Sequence, residues 1–422
     1  MQPEFRTIEK SATLLLNEQS RALEQAGKQV FAFGFGQSPF PPFAPAVESL
    51  KVHAGRKEYS PVQGLAPLRE QVASFHTHYD QVDYSADNVL IAPGSKLLLY
   101  AAMAAYAHAR VLVPAPAWVS YAPQAMLIGH EVVRLPVTLE DDWRVTPEIL
   151  EEAMHNHPPH VPVLMVLNYP GNPSGTSYTD EQLKALAEVL ERHQIMVISD
   201  EIYGLLHHEG AHVSLAQYYP QGTFVTGGLS KWCGAGGWRL GVGLMHDSFR
   251  HRAGFKDAML GIASETYSCA PVPVQWAALD AYAPGEALDG FLQAQRAALG
   301  WIGRWSAAHL REAGALVAEP QGGVYLFVDF TPFTEAFAAK GLHSSADVCA
   351  ALLDETGVAI LPGEAFGMPA SHICARLAFV DFDGAAVLEA ARAEAPNDAW
   401  LETHFATMRK GITTLAEWLR AL

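Results

Sequence analysis

The chain has 422 residues, half of them hydrophobic and only 17% charged. That is enough for one large core and a smaller second one, because single cores rarely grow past about 250–300 residues. A net charge of −17, with no run of Lys and Arg able to neutralise a phosphate backbone, speaks against a nucleic-acid partner.

The opening ten residues lack the apolar segment of a secretory signal, and no stretch is long enough to span a bilayer, so no membrane partner is expected and the chain reads as cytoplasmic. The four cysteines, Cys233, Cys269, Cys349 and Cys374, show no Cys-x-x-Cys spacing and read as reduced thiols. Residues 1–45, rich in Pro and Phe from 33 onward, read as an arm that packs against a later domain. From about 88 to 245, short apolar runs alternate with helical patterns, which predicts an α/β fold: a mostly parallel sheet covered by helices on both faces, within a large domain spanning 46–286. The predicted strands are 88–92, 110–113, 131–135, 163–167, 196–199 and 223–226. The most apolar run, 97–113, is too short to cross a bilayer and carries His108 and Arg110, so it reads as a buried helix. Thr179 and Gln182 form a capping box that opens a helix to about Arg192, with Leu183, Leu186, Ala187 and Leu190 on one face. A long helix over 287–313 and strands at 323–329, 358–361 and 376–380 predict a smaller α+β domain, 287–422.

In such sheets ligands bind beyond the carboxyl ends of the strands, and Gly94, Trp118, Asn172, Asp200 and Lys231 all fall at or just after a predicted strand end. Lys231 stands in Gly-Gly-Leu-Ser-Lys-Trp (227–232), followed by Gly-Gly-Trp-Arg-Leu-Gly (236–241). Upstream lie Asn-Tyr-Pro-Gly-Asn-Pro-Ser-Gly (168–175) and Ser-Asp-Glu-Ile-Tyr (199–203). An amine, a guanidinium, an amide, a carboxylate and a phenol are the set needed to hold pyridoxal phosphate. Lys231 would form the Schiff base and Asp200 would face the ring nitrogen, while Asn172 and Tyr203 would reach the ring's 3-oxygen. Gly94, Ser95 and Lys96, opening a helix, would offer N–H groups to the phosphate beside Ser230 and Arg239. Trp118, in Pro-Ala-Trp-Val-Ser-Tyr, could stack on the ring. Neither Gly-Phe-Gly-Gln-Ser-Pro (34–39) nor Gly-Ala-Gly-Gly-Trp-Arg (234–239) completes a dinucleotide loop between strand and helix. His76, His78, His207 and His208 lack further ligands at metal spacing, so no metal is expected, and they read as surface or loop residues.

Together these motifs resemble the class I/II aminotransferases, enzymes of fold type I dependent on pyridoxal phosphate, over nearly the whole chain. The resemblance implies amino transfer from an L-amino acid to a 2-oxo acid through a ping-pong cycle, with Lys231 as general base and acid. It also implies that Tyr59 reaches the phosphate of a neighbouring subunit, hence a homodimer with shared sites. Arg376 would grip the substrate carboxylate with help from the Gly36 N–H, and cis bonds would precede Pro116 and Pro173. Two positions depart from the family: Gly228, where many relatives carry serine, and Cys233, uncommon beside the lysine. No arginine for a second carboxylate lies in 263–270; Lys96 is the candidate for that task, a solvated lysine in the first helical turn is the other reading, and aspartate or glutamate, aromatic and other neutral amino acids all stay open as donors. Alternatives on the same cofactor are β-elimination, decarboxylation and cyclopropane-forming synthesis. A DNA-binding regulator of this fold is disfavoured, because no helix-turn-helix pattern or basic patch is present.

Overall fold

Runs of β-branched and apolar residues between amphipathic helices form a seven-stranded sheet in the computed structural model, which describes residues 12–155 and 157–422. The opening ten residues, and with them the reading that they hold no secretory signal, lie outside the described residues. The strands are β1 (Val89–Ala92), β2 (Arg110–Ala115), β3 (Glu131–Pro136), β4 (Val163–Asn168), β5 (Met196–Asp200), β6 (Thr223–Gly228) and β7 (Gly241–Met245). Their order is β1-β7-β6-β5-β4-β2-β3. Strands β2 to β6 run parallel, and β7 is antiparallel to both its neighbours.

Alternation along each strand feeds two cores. Leu112, Met165 and Val197 face Leu183, Leu186 and Leu190 of the Asp180–Arg192 helix, whereas Val111, Leu164 and Ile198 face Leu98 and Ala102 of the Ser95–Ala104 helix. Each such Leu or Ile contributes about 1.5–3 kcal/mol on burial. The Asp180–Arg192 helix opens with the expected capping box: Thr179 Oγ1 accepts from the Gln182 N–H, and Gln182 Oε1 accepts from the Thr179 N–H.

A second sheet joins β8 (Leu316–Val317), β9 (Tyr325–Asp329), β10 (Leu361–Pro362) and β11 (Cys374–Ala378), all antiparallel, in the order β10-β11-β9-β8. The helix Glu286–Glu312 contacts both β8 and β9. The segment near residue 30 is tied to this sheet by its backbone. Phe31–Ala32 pairs with Val358–Ala359, and the Ala378 N–H donates to the Phe33 carbonyl at 2.7 Å.

Several expectations need correction. The apolar run 97–113 is not one helix: the helix ends at Ala104 and β2 begins at Arg110. Both pieces bury apolar side chains against one sheet, so hydrophobicity alone does not mark the break. The strand expected over 358–361 is two pieces that join different sheets. Strand β7, rich in glycine, carried no recognisable pattern. His76 lies on the Ala66–Asp80 helix, 2.9 Å from Asp80. His207 and His208 are buried, and the His208 ring nitrogens sit 3.3 and 3.1 Å from the Pro320 and Gly323 carbonyls. Burial pushes both of these imidazoles down to about 4, and neither is a surface group. Among the described residues there is no cluster of metal-ligand side chains, and no helix is long and apolar enough to cross a membrane.

Candidate active site

The carboxyl ends of β4, β5 and β6 and the start of the Ser95–Ala104 helix open onto one cavity of about 510 Å³, closed on the far side by β9, β11 and residues 35–37. Of the residues singled out from sequence, Gly36, Ser95, Lys96, Trp118, Asn172, Asp200, Tyr203, Ser230, Lys231, Arg239 and Arg376 line it. Gly94 stands behind the wall: a Cβ on it would fall 2.2 Å from Arg239 Nη2. Tyr59 does not line the cavity and is 88% exposed.

Asp200 closes β5 and is 3% exposed. Tyr121 donates to its Oδ2 at 2.7 Å and Thr226 to its Oδ1 at 3.1 Å. Burial pushes its carboxyl up to about 6, a rise limited by Tyr121, Thr226, the Ile202 N–H and the Lys231 charge. It is therefore ionised at neutral pH and able to hold a cationic partner. Lys231 Nζ donates to the Gly36 carbonyl at 2.8 Å and lies 5.4 Å from the Tyr203 ring centre. Tyr203 donates to the Tyr325 hydroxyl at 3.1 Å. Burial, reinforced by Tyr325, keeps Tyr203 well above the usual tyrosine range.

Arg376 is 1% exposed and pairs with no carboxylate among the described residues. Its Nη1 donates to Asn172 Oδ1 at 3.0 Å and its Nη2 to the Gly34 carbonyl at 2.6 Å, while Nε is buried without a partner. A guanidinium desolvated in this way is costly unless an anion compensates it, which marks an anion-binding position. The contact with Asn172 uses the amide oxygen and leaves Nδ2 free to donate.

A second anion position lies at the helix Ser95–Ala104, whose N-cap, Gly94 with φ of 92°, supplies no capping side chain. Ser95 and Lys96 of its first turn line the cavity together with Ser230 and Arg239, the set a phosphate cradle needs. The cradle is closely built: a Cβ on Gly241 would meet the Ser95 nitrogen at 2.2 Å, and one on Gly228 (φ 149°) the Leu240 carbonyl at 2.5 Å. That contact explains the family departure at Gly228, since no serine fits this backbone. Lys96 is exposed as a residue, yet the surrounding protein first and Arg239 second hold its ammonium below the usual lysine range. Its Nζ lies 4.8 Å from the Trp118 ring centre, and Trp118 stands edge-on to Tyr121.

The second departure also has a physical account. Cys233 is a buried core residue whose carbonyl accepts from the Phe43 N–H at 3.1 Å, and burial pushes its thiol up to about 12. It packs and does not react. The bonds before Pro116, Pro170 and Pro173 are cis, the second of which was not foreseen.

Sequence reasoning missed Tyr121, Thr226 and Tyr325. Thr226 sits beside Asp200 in the parallel register of β5 and β6, and Tyr121 ends the quoted Trp118 motif, so both had a signal. Tyr325 had none, because it enters from the other sheet. The glycine-walled anion cradle, the buried carboxylate and the Lys231 amine fit pyridoxal phosphate.

The model of the family "aminotransferase class I and II" matches residues 28–393. The aspartate aminotransferase of Geobacillus stearothermophilus is 33% identical over 371 residues, covering 85% of this chain and 90% of that protein. That of Bacillus subtilis strain 168 is 31% identical over 371 residues, with the same coverage of 85% and 90%. Among solved structures, the aspartate aminotransferase from Thermus thermophilus with maleate gives a TM-score of 0.80 at 26% identity, covering 92% of this chain and 98% of that one. The chain therefore belongs to the class I and II aminotransferases and is a pyridoxal-phosphate-dependent enzyme of fold type I that moves an amino group from an L-amino acid to a 2-oxo acid.

Proposed function

We propose that this aminotransferase binds its cofactor covalently through Lys231 and takes an acidic amino acid, aspartate or glutamate, as amino donor. The observation that carries the substrate class is a pair of cations on one cavity: Arg376, buried without a carboxylate, and Lys96 at the mouth beside Trp118. A donor with two carboxylates answers both charges. No arginine within 263–270 competes for the second role, and the relatives are named as aspartate aminotransferases. The Thermus thermophilus structure is described with maleate, itself a dicarboxylate. No observation favours elimination, decarboxylation or ring-forming chemistry.

When bound, the cofactor supplies the electron sink that makes the substrate's α-proton acidic. Asp200 would keep the ring nitrogen protonated, while Tyr203 and Asn172 Nδ2 would donate to the ring oxygen. Gly94, Ser95 and Lys96 N–H groups, with Ser230 and Arg239, would hold the phosphate, and Trp118 would cover the ring. Arg376 and the Gly36 N–H would orient the α-carboxylate. Lys231 Nζ, within the same pocket, would take the α-proton and return it as general base and acid. The first substrate leaves as a 2-oxo acid, and a second 2-oxo acid carries the amino group away.

Tyr59, too exposed to serve its own chain's cavity, fits a homodimer in which each subunit completes the other's phosphate site. The division into an arm (1–45), a large domain (46–286) and a small domain (287–422) belongs to the same reading, as does a cytoplasmic location. Steady-state rates of Lys96→Ala test the substrate class. Loss of a charged hydrogen bond costs about 1.5–3 kcal/mol, roughly 10- to 100-fold in kcat/KM. That loss is expected with aspartate and not with phenylalanine; equal losses on both defeat the proposal.

A further inference from the structure

Tyr325, on β9 and 2% exposed, has no task in the assignments above, yet it stands at the centre of the site. Its hydroxyl accepts from Tyr203 at 3.1 Å and donates to the Gly36 carbonyl at 3.3 Å. That carbonyl also holds Lys231 Nζ at 2.8 Å, so the lysine and the Tyr325 hydroxyl share one acceptor. The Tyr325 ring lies 4.5 Å from the Arg376 guanidinium carbon. Residue 36 is glycine for this reason: a Cβ there would fall 2.0 Å from the Tyr325 oxygen. The charged and titratable groups facing the hydroxyl are Lys231, Arg376 and Tyr203, with Asp200 and Tyr121 behind them.

Tyr203 has one phenolic proton. A proton given to Tyr325 is withheld, wholly or in part, from any acceptor in the cavity. We propose that Tyr325 is a positioning residue of the transfer reaction: its hydroxyl fixes the Gly36 carbonyl on which Lys231 rests and competes for the Tyr203 proton, and so sets how strongly Tyr203 donates into the cavity. The two nearby cations favour negative charge on the Tyr325 oxygen over the Tyr203 oxygen, which leaves the shared proton on Tyr203 and Tyr325 as its acceptor. Burial alone would raise the pKa of its hydroxyl, but Lys231 and Arg376 outweigh burial and lower it, so of the two phenols Tyr325 is the one whose oxygen more readily carries negative charge. The inference rests on the placement of the cofactor proposed above.

The test is Tyr325→Phe in the holoenzyme, which keeps the ring beneath Arg376 and removes only the oxygen. The readout is the pH midpoint of the visible absorbance of the bound cofactor. With the competing acceptor gone, the Tyr203 proton passes undivided to the ring oxygen and stabilises its negative form, so the midpoint should fall by about half a unit or more. Turnover should fall about tenfold with KM changed by less than about twofold, because Lys231 loses its support while the Arg376 contact remains. In a Tyr203→Phe background the same replacement should leave the midpoint where it was. Gly36→Ala, which displaces the Tyr325 hydroxyl without removing it, should shift the midpoint the same way and serves if Tyr325→Phe does not fold. An unmoved or raised midpoint, an undiminished shift without Tyr203, or a loss confined to KM overturns the role of Tyr325. A wild-type protein that stays colourless with added pyridoxal phosphate overturns the underlying site reading as well, so the two failures are told apart.

Discussion

Asp200 shows how a few neighbours decide the chemistry of one side chain. Burial raises its carboxyl to about 6, and the hydrogen bond from Tyr121 is the first of the groups that oppose the rise. In Tyr121→Phe that opposition is lost, so Asp200 should hold its proton to higher pH. The acidic limb of the kcat/KM profile should then move up by roughly one unit, since a bond to a charged group is worth about 1.5–3 kcal/mol and one unit is about 1.4 kcal/mol. An unchanged limb would mean that Tyr121 only packs. Asp200 and Tyr203 were legible in the sequence because a polar residue closing an apolar strand marks the ligand edge of a parallel sheet. Arg376 was legible only through the family resemblance; nothing in its local pattern says that a guanidinium in a short strand is fully buried.

At the scale of elements, the strands of the large sheet and the capped Asp180–Arg192 helix were readable because period and capping are local. The limits of local reading appear at β6 and β7. These strands cross antiparallel with Gly228 opposite Gly241, and the backbones approach too closely for any side chain. Gly228→Ser, which would restore the family's usual residue, should therefore not tighten cofactor binding. With its Cβ 2.5 Å from the Leu240 carbonyl, it should cost about 1–3 kcal/mol of stability and weaken the phosphate cradle that β7 supports. Denaturation midpoints and cofactor titration check this; a tighter complex of undiminished stability would contradict it.

For the whole molecule, the exposure of Tyr59 at 88% and of nearby Val52 at 78% is a property of one chain considered alone. If two chains share their sites, Tyr59→Ala and Lys231→Ala should each be nearly inactive as homodimers. Mixing and refolding them should restore activity in hybrids that carry one intact site. Sedimentation should show a dimer throughout. No recovery on mixing, with hybrids demonstrably formed, would place Tyr59 outside the partner's site.

Local chemistry written along the chain was sufficient to determine the parallel sheet and the cofactor, because strand period, helix capping and motif spacing act over a few residues. Distant approach was not so encoded. Tyr325 against Gly36 and Arg376 buried on Asn172 depend on which surfaces meet once the second sheet closes over the first, and glycine at 228 on the close approach of β6 and β7. Only the tertiary structure could decide those contacts, since each joins segments whose own sequences are indifferent to the other.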